Sequence, residues 1–190
     1  WRGTENVTVA YGQGVAATAI QLVSAVNVIA NGGLYVAPKL VKSVITPSGE
    51  RDDTMPSAAR RVVSPDVAAQ MTFMMRDVVC SGTARGWAGV KGYTVAGKTG
   101  TGYKAQPNGT YLDEQGQKSY YASFVGFLPA ERPHITVLVS IDEPPANAAH
   151  FGANTAAPVF NRIAKAAIAD LGIQAPVQGS GCPSSRSKKG

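Results

Sequence analysis

An α+β fold, with an antiparallel β-sheet and helices on both of its faces, is the fold class the sequence predicts, from three observations. Strand-like segments occupy residues 93–101, 120–128 and 135–141 in succession, and the last two are joined by the short run from Pro129 to His134, a link that implies antiparallel neighbours. Both faces of those two strands carry apolar side chains, so the sheet must be covered on both sides. Helical patterns before and after them supply the cover. The chain has 190 residues, 44% hydrophobic and 16% charged, which allows a buried core and excludes an intrinsically disordered polymer.

Each element has its own signal. Thr18-Ala19-Ile20-Gln21 has the form of a capping box and predicts a helix from about residue 18 to 30, with Ile20, Val23, Ile29 and Ala30 on one side and Asn31-Gly32-Gly33 at its end. Pro38 to Thr46 is rich in β-branched residues and runs into Pro47-Ser48-Gly49, so a strand or extended edge is expected there. Glu50 to Arg61 is charged and is expected to carry little order. Ser64-Pro65-Asp66 combines a capping hydroxyl, a proline at the first helical position and an acid in the first turn. Val67, Met71, Met74, Met75 and Val78 then recur at helical intervals up to Ser81-Gly82, and the methionines are expected to pack in the core. The last helix opens near residues 155–158, carries Phe160, Ile163, Ala164, Ala167 and Leu171, and stops at Gly172. Residues 1–173 are thus expected to form the domain, and residues 174–190 a disordered basic tail of Gly, Ser and Pro.

Charge and cysteine narrow the function less. The net charge of +6 draws on Arg186, Lys188 and Lys189 of the tail, and the remaining basic residues are scattered without aromatic interleaving, so no nucleic-acid partner is expected. Cys80 and Cys182 have neither metal nor redox spacing, and two cysteines define no disulfide framework. His134 and His150 stand singly, as surface or packing residues, and no metal or organic cofactor is implied. The apolar runs are too short to cross a bilayer. The chain starts on Trp1, so an N-terminal portion is expected to precede it.

The segment from Gly92 to Lys104, GYTVAGKTGTGYK, admits two chemistries. Gly92, Gly97, Lys98 and Thr99 fit a phosphate-loop pattern, while Lys98-Thr99-Gly100 is a signature of serine acyl-transfer enzymes. A phosphate loop needs a helix starting at its Lys-Thr, and Gly100-Thr101-Gly102 is poor helix material. On a strand the same residues make sense. An edge strand offers unpaired N–H groups, and an ammonium with two hydroxyls suits a carboxylate, each charged hydrogen bond contributing roughly 1.5–3 kcal/mol.

Further blocks accompany that strand. Ala10-Tyr11-Gly12-Gln13-Gly14, Thr18 to Leu22, Ile29 to Gly33 with Pro38, Val95 to Thr101, Ser123 to Pro129, Val137 to Pro145, and His150-Phe151-Gly152 with Ala157 to Phe160 stand in one order. Together they resemble class B penicillin-binding proteins, the bacterial D,D-transpeptidases that cross-link peptidoglycan. The resemblance spans roughly residues 1–171 and implies the penicillin-binding, serine β-lactamase-like transpeptidase fold, of which this would be the C-terminal half. It implies Lys98 and Thr101 as catalytic residues, with Lys98 supplying charge beside the nucleophile and the Thr101 N–H forming half of an oxyanion hole. Thr99 and Thr101 would bind the terminal carboxylate of a D-Ala-D-Ala stem peptide or of a β-lactam, and Gly100 would give clearance. Gly102 to Ser119 could form a lid or rim, or a hairpin that touches no substrate.

The family's S-x-x-K nucleophile and S-x-N signature have no credible match here. Ser185-Arg186-Ser187-Lys188 lies in the tail, and S-x-N does not occur, so both are expected upstream of Trp1 and this segment alone is expected to be inactive. The resemblance also implies a glycan polymerase and division proteins as partners, and a location on the extracytoplasmic face of the cell membrane, anchored by a preceding segment. A serine β-lactamase or D,D-carboxypeptidase, a non-catalytic penicillin-binding-like module and a nucleotide-binding protein are the alternatives.

Overall fold

The computed structural model describes residues 3, 5–10, 12, 15–53, 57–145, 150–176 and 182. A short helix, Glu5–Ala10 (α1), precedes Ala19–Ala30 (α2) and has no counterpart among the sequence expectations. The capping box at the start of α2 forms as predicted: Gln21 N–H donates to Thr18 Oγ1 at 3.3 Å and Thr18 N–H to Gln21 Oε1 at 2.9 Å. At its far end Gly33 has φ 92°, and the Val63 carbonyl occupies the space that a side chain would need, so glycine is required there.

Two small ribbons follow. Leu34–Val36 (β1) pairs antiparallel with Ala59–Arg61 (β4), and Ser43–Ile45 (β2) with Arg51–Asp53 (β3). The stretch expected to have little order thus contains two strands, and the extended run predicted over Pro38–Thr46 narrows to three residues. These ribbons are mostly exposed and close through backbone bonds and the Thr46–Glu50 turn, so burial leaves no apolar alternation to read.

Pro65–Cys80 (α3) begins as predicted, Ser64 Oγ accepting from Val67 N–H at 3.2 Å. Its methionines depart from expectation: Met75 is buried, but Met71 and Met74 are exposed. The inward stripe is Ala68, Met75 and Val79, one residue around the helix from Val67, Met71 and Met74, while Val78 of the predicted run is partly buried against the core. Both stripes have the same period, so spacing alone could not choose between them.

Ala96–Tyr103 (β5), Tyr120–Leu128 (β6) and Ile135–Asp142 (β7) form the antiparallel sheet in the order β5-β6-β7. β5 begins three residues later than predicted. Tyr93 makes an isolated bridge with Val90, and its hydroxyl donates to the Ile173 carbonyl at 2.7 Å. Helices cover both faces, as expected. On one face Ala156–Asp170 (α4) presents Phe160 edge-on to Phe124 of β6, with ring centroids 4.7 Å apart, amid Leu128, Val139, Ala157 and Ala164. On the other, Ala96 and Phe127 meet Met75 of α3 and Val26, Ile29 and Ala30 of α2, while Thr136 donates to Asn27 Oδ1 at 2.9 Å.

Cys80 and Cys182, left unpaired by the sequence, form a disulfide that joins the end of α3 to the C-terminal tail across 102 residues. Most of the tail expected to be disordered, at 177–181 and 183–190, lies outside the described residues, as do Tyr11, Gln13 and Gly14 of the glycine-glutamine-glycine block.

Candidate functional site

The site lies along the outer edge of β5. Strand alternation and the register Lys98↔Val125, Thr99↔Phe124, Gly100↔Ser123 and Thr101↔Ala122 put Lys98 on the face of α2 and α3, and Thr99 and Thr101 on the face of α4. Because β5 is the last strand of its sheet among the described residues, side chains from both faces converge on its free edge. Lys98, Thr99 and Thr101 line one cleft of about 400 Å³, closed by Thr83 from the turn after α3 and by Phe151, Gly152 and Asn154 from the turn before α4.

Hydrogen bonds fix the walls. The Thr83 and Thr99 hydroxyl oxygens are 2.9 Å apart, Gly152 N–H donates to Thr101 Oγ1 at 3.2 Å, and Lys98 Nζ donates to the Thr99 carbonyl at 2.8 Å. Among the described residues Lys98 has no carboxylate partner, so its ammonium is available to an incoming anion. The cleft is therefore an electropositive groove with two hydroxyls, beside a strand edge able to pair with an extended peptide. No group of three or more His, Cys, Asp and Glu able to hold a metal occurs among the described residues.

A Cβ on Gly100 would meet Ser123 Oγ on the neighbouring strand, the end of a side chain that can turn aside, with Ser123 Cβ at an ordinary 3.8 Å. Gly152 is the tighter case: a Cβ would stand 2.5 Å from the Gly100 carbonyl oxygen, which shows how closely the 150–155 turn lies against β5 and β6. That constraint is not visible in a spacing pattern. Thr83 and Asn154 also went unrecognised in the sequence, since no local signal marks a residue that reaches the site from a turn.

A second recess of about 410 Å³ continues past Thr101 and Phe151, walled by Tyr103, Tyr120 and His150. The His150 ring stacks on Tyr120 at 4.3 Å and lies 4.2 Å from Phe151, a packing role of the kind expected for it. The excursion after β5, considered as a lid or rim, consists of turns at 106–110 and 113–117 and borders this recess, with Tyr111 6.1 Å from Tyr103. Lys104 ties its root to the end of β7 through Asp142 at 2.9 Å and Glu143 at 3.0 Å. The hydrogen bond to Asp142 first, then that to Glu143, holds its ammonium above the ordinary lysine range.

The phosphate-loop alternative does not survive this geometry. Lys98 and Thr99 lie within a strand, and no helix begins at them.

Residues 1–165 match the family model described as the penicillin binding protein transpeptidase domain. Stage V sporulation protein D of Bacillus subtilis is 37% identical over 172 residues, 90% of this chain and 26% of that protein. Penicillin-binding protein PbpB of Mycolicibacterium smegmatis is 33% identical over 171 residues, 86% of this chain and 26% of that protein. The chain thus spans about a quarter of the length of these curated relatives. Among solved structures, penicillin-binding protein 3 of Mycobacterium tuberculosis in complex with ampicillin superposes with a TM-score of 0.76 at 28% identity, covering 98% of this chain and 40% of that one. The transpeptidase domain of Burkholderia pseudomallei penicillin-binding protein 3 does so with a TM-score of 0.71 at 33% identity, covering 94% and 50%.

Proposed function

The chain belongs to the transpeptidase-domain family of class B penicillin-binding proteins, and from that premise we propose that it forms the carboxylate-binding wall of a peptidoglycan D,D-transpeptidase that is also acylated by β-lactams. The observation that carries this is the convergence of Lys98, Thr99 and Thr101 on one groove at a free strand edge. In the complete enzyme a serine from outside these 190 residues attacks the penultimate D-Ala carbonyl. A C–O ester bond forms, the C–N bond breaks, and the serine proton leaves on the amine of the departing D-Ala. An amine from a neighbouring stem peptide then takes the acyl group, and the serine recovers a proton.

In that sequence Lys98 stabilises negative charge near the nucleophile, and Thr99 and Thr101 donate to the substrate's terminal carboxylate. The Thr101 N–H stabilises the oxyanion.

The partners this reading takes are D-Ala-D-Ala stem peptides and β-lactams, with a glycan polymerase and division proteins beside them. A complex with ampicillin is known for the M. tuberculosis protein. An extracytoplasmic location is supported by the Cys80–Cys182 disulfide, since such bonds are rare in the reducing cytosol. No helix among the described residues is long and apolar enough to cross a membrane.

Labelled penicillin tests the assignment in the full-length protein. Lys98→Ala is expected to slow acylation by roughly a hundredfold or more, and Thr101→Ala to weaken it by about tenfold. A full-length protein that labels normally with either substitution would refute the assigned roles.

A further inference from the structure

Two hydroxyls do not satisfy a carboxylate. Once ionised, its two oxygens offer about four lone-pair sites, and Thr99 and Thr101 carry one hydroxyl proton each. The Thr101 proton is free to point into the cleft, because Thr101 Oγ1 accepts from Gly152 N–H at 3.2 Å. The Thr99 proton is free when the Thr83 hydroxyl, 2.9 Å away, donates to Thr99. Lys98 directs one of its protons to the Thr99 carbonyl. A carboxylate held by the two threonines therefore keeps acceptor capacity, and a further donor in the wall adds affinity.

Asn154 stands where that donor is needed. It lines the same cleft, is exposed, and has no side-chain hydrogen bond among the described residues. An asparagine just ahead of a helix ordinarily folds back onto nearby backbone N–H groups. Here those groups are taken: Asn154 and Thr155 N–H donate to the Phe151 carbonyl at 2.9 and 3.1 Å, and Ala156 and Ala157 N–H to the Gly152 carbonyl at 3.1 and 2.9 Å. The turn has no room to shift, since Ala156 and Ala157 are fully buried and Gly152 is packed against the Gly100 and Ser123 carbonyls. A fixed backbone thus presents an uncommitted carboxamide, with two N–H protons, to a groove lined by no acidic side chain among the described residues.

We propose that Asn154 is a substrate-binding residue whose Nδ2 group donates, beside the Thr99 and Thr101 hydroxyls, to the terminal carboxylate of the stem peptide or β-lactam. The role rests on the function proposed above and deepens it. Two of the donors come from β5 and the third from the turn before α4, so the anion is gripped from two sides of the cleft. An aspartate at this position would do the reverse, removing the donor and placing a like charge in the wall.

The test uses the full-length protein and labelled penicillin, with Asn154→Ala and Asn154→Asp beside the parent. Acylation followed over a range of penicillin concentrations separates the binding constant from the limiting acylation rate. Asn154→Ala should weaken binding by about three- to tenfold, the worth of one hydrogen bond, and leave the limiting rate unchanged. Asn154→Asp should weaken it further, and the difference between the two variants should shrink at high salt, because charge repulsion is screened. Asn154→Ala should also unfold at the parent's temperature, since its side chain holds nothing in the fold.

Asn154→Ala with the parent's binding constant, or with its whole loss in the limiting rate, would overturn the contact. So would Asn154→Asp binding as tightly as Asn154→Ala, and a lowered unfolding temperature in Asn154→Ala would assign the residue to the fold instead. A parent protein that takes no penicillin refutes the transpeptidase reading and the contact together, whereas failure in the variants alone leaves that reading standing.

Discussion

Replacing Gly152 by alanine tests whether the cleft owes its shape to backbone packing. The added methyl meets the Gly100 carbonyl oxygen at 2.5 Å and the Ser123 carbonyl carbon at 3.1 Å, with the Ser123 oxygen nearer still. All three are backbone atoms of paired strands and cannot swing aside, so the 150–155 turn must lift away from the sheet. Forcing one carbon into a close-packed position costs about 1–3 kcal/mol. Lifting the turn also breaks the Gly152 N–H to Thr101 Oγ1 bond, which adds about 0.5–1.5 kcal/mol. The expected destabilisation is therefore about 1.5–4.5 kcal/mol. Denaturant unfolding of the full-length protein measures it, and the rate of labelling with penicillin reports the cleft. Thr101→Val serves as the reference, because it removes the same hydrogen bond without crowding the turn, and it should destabilise less. A Gly152→Ala protein that unfolds and labels as the parent does would refute the claim that Gly100 and Ser123 set the position of this turn.

Two further outcomes follow from the same geometry. Thr83→Val removes the partner of the Thr99 hydroxyl and is expected to lower the acylation rate by up to about tenfold, while Thr83→Ser retains most of it; equal rates in all three proteins would remove Thr83 from the site. Lys104→Met should lower the unfolding temperature at neutral pH. Because the folded-state pKa of Lys104 is raised above the ordinary 10.5, its contribution is complete below that value and disappears as the pH rises through the folded-state value. The gap between parent and variant should accordingly close in strong alkali, and a gap that widened there would contradict the pairing with Asp142 and Glu143.

The strands and helices that are covered by the core were legible because burial imposes a period. β6 runs over the residues predicted for it, α2 and α3 begin at the caps that the sequence marks, and α4 stops beside Gly172. Legibility ended where burial did: β1 to β4 are held by backbone pairing at the surface, and such pairing leaves no trace in apolar spacing. The two stripes of α3 show a subtler limit, since periodicity identifies a helix without saying which of two neighbouring faces turns inward. At the site, Lys98, Thr99 and Thr101 were found because they lie within four residues of one strand-like run that carries the Lys-Thr-Gly signature. Thr83 and Gly152 reach the cleft from turns outside the strand, and the Cys80–Cys182 pairing joins positions 102 residues apart, which no local pattern encodes.

The Phe124 and Phe160 rings lie directly beneath two glycines of the sheet. A Cβ on Gly126 would come within 3.0 Å of the Phe124 ring and 3.2 Å of the Phe160 ring, and one on Gly97, beside Lys98, would run into Phe124 as well. The α-protons of both glycines therefore sit inside the magnetic shadow of aromatic ring currents, and their NMR resonances should be displaced from ordinary glycine positions. A sub-ångström shift of the strand that carries Lys98 would be reported spectroscopically, without any label in the groove.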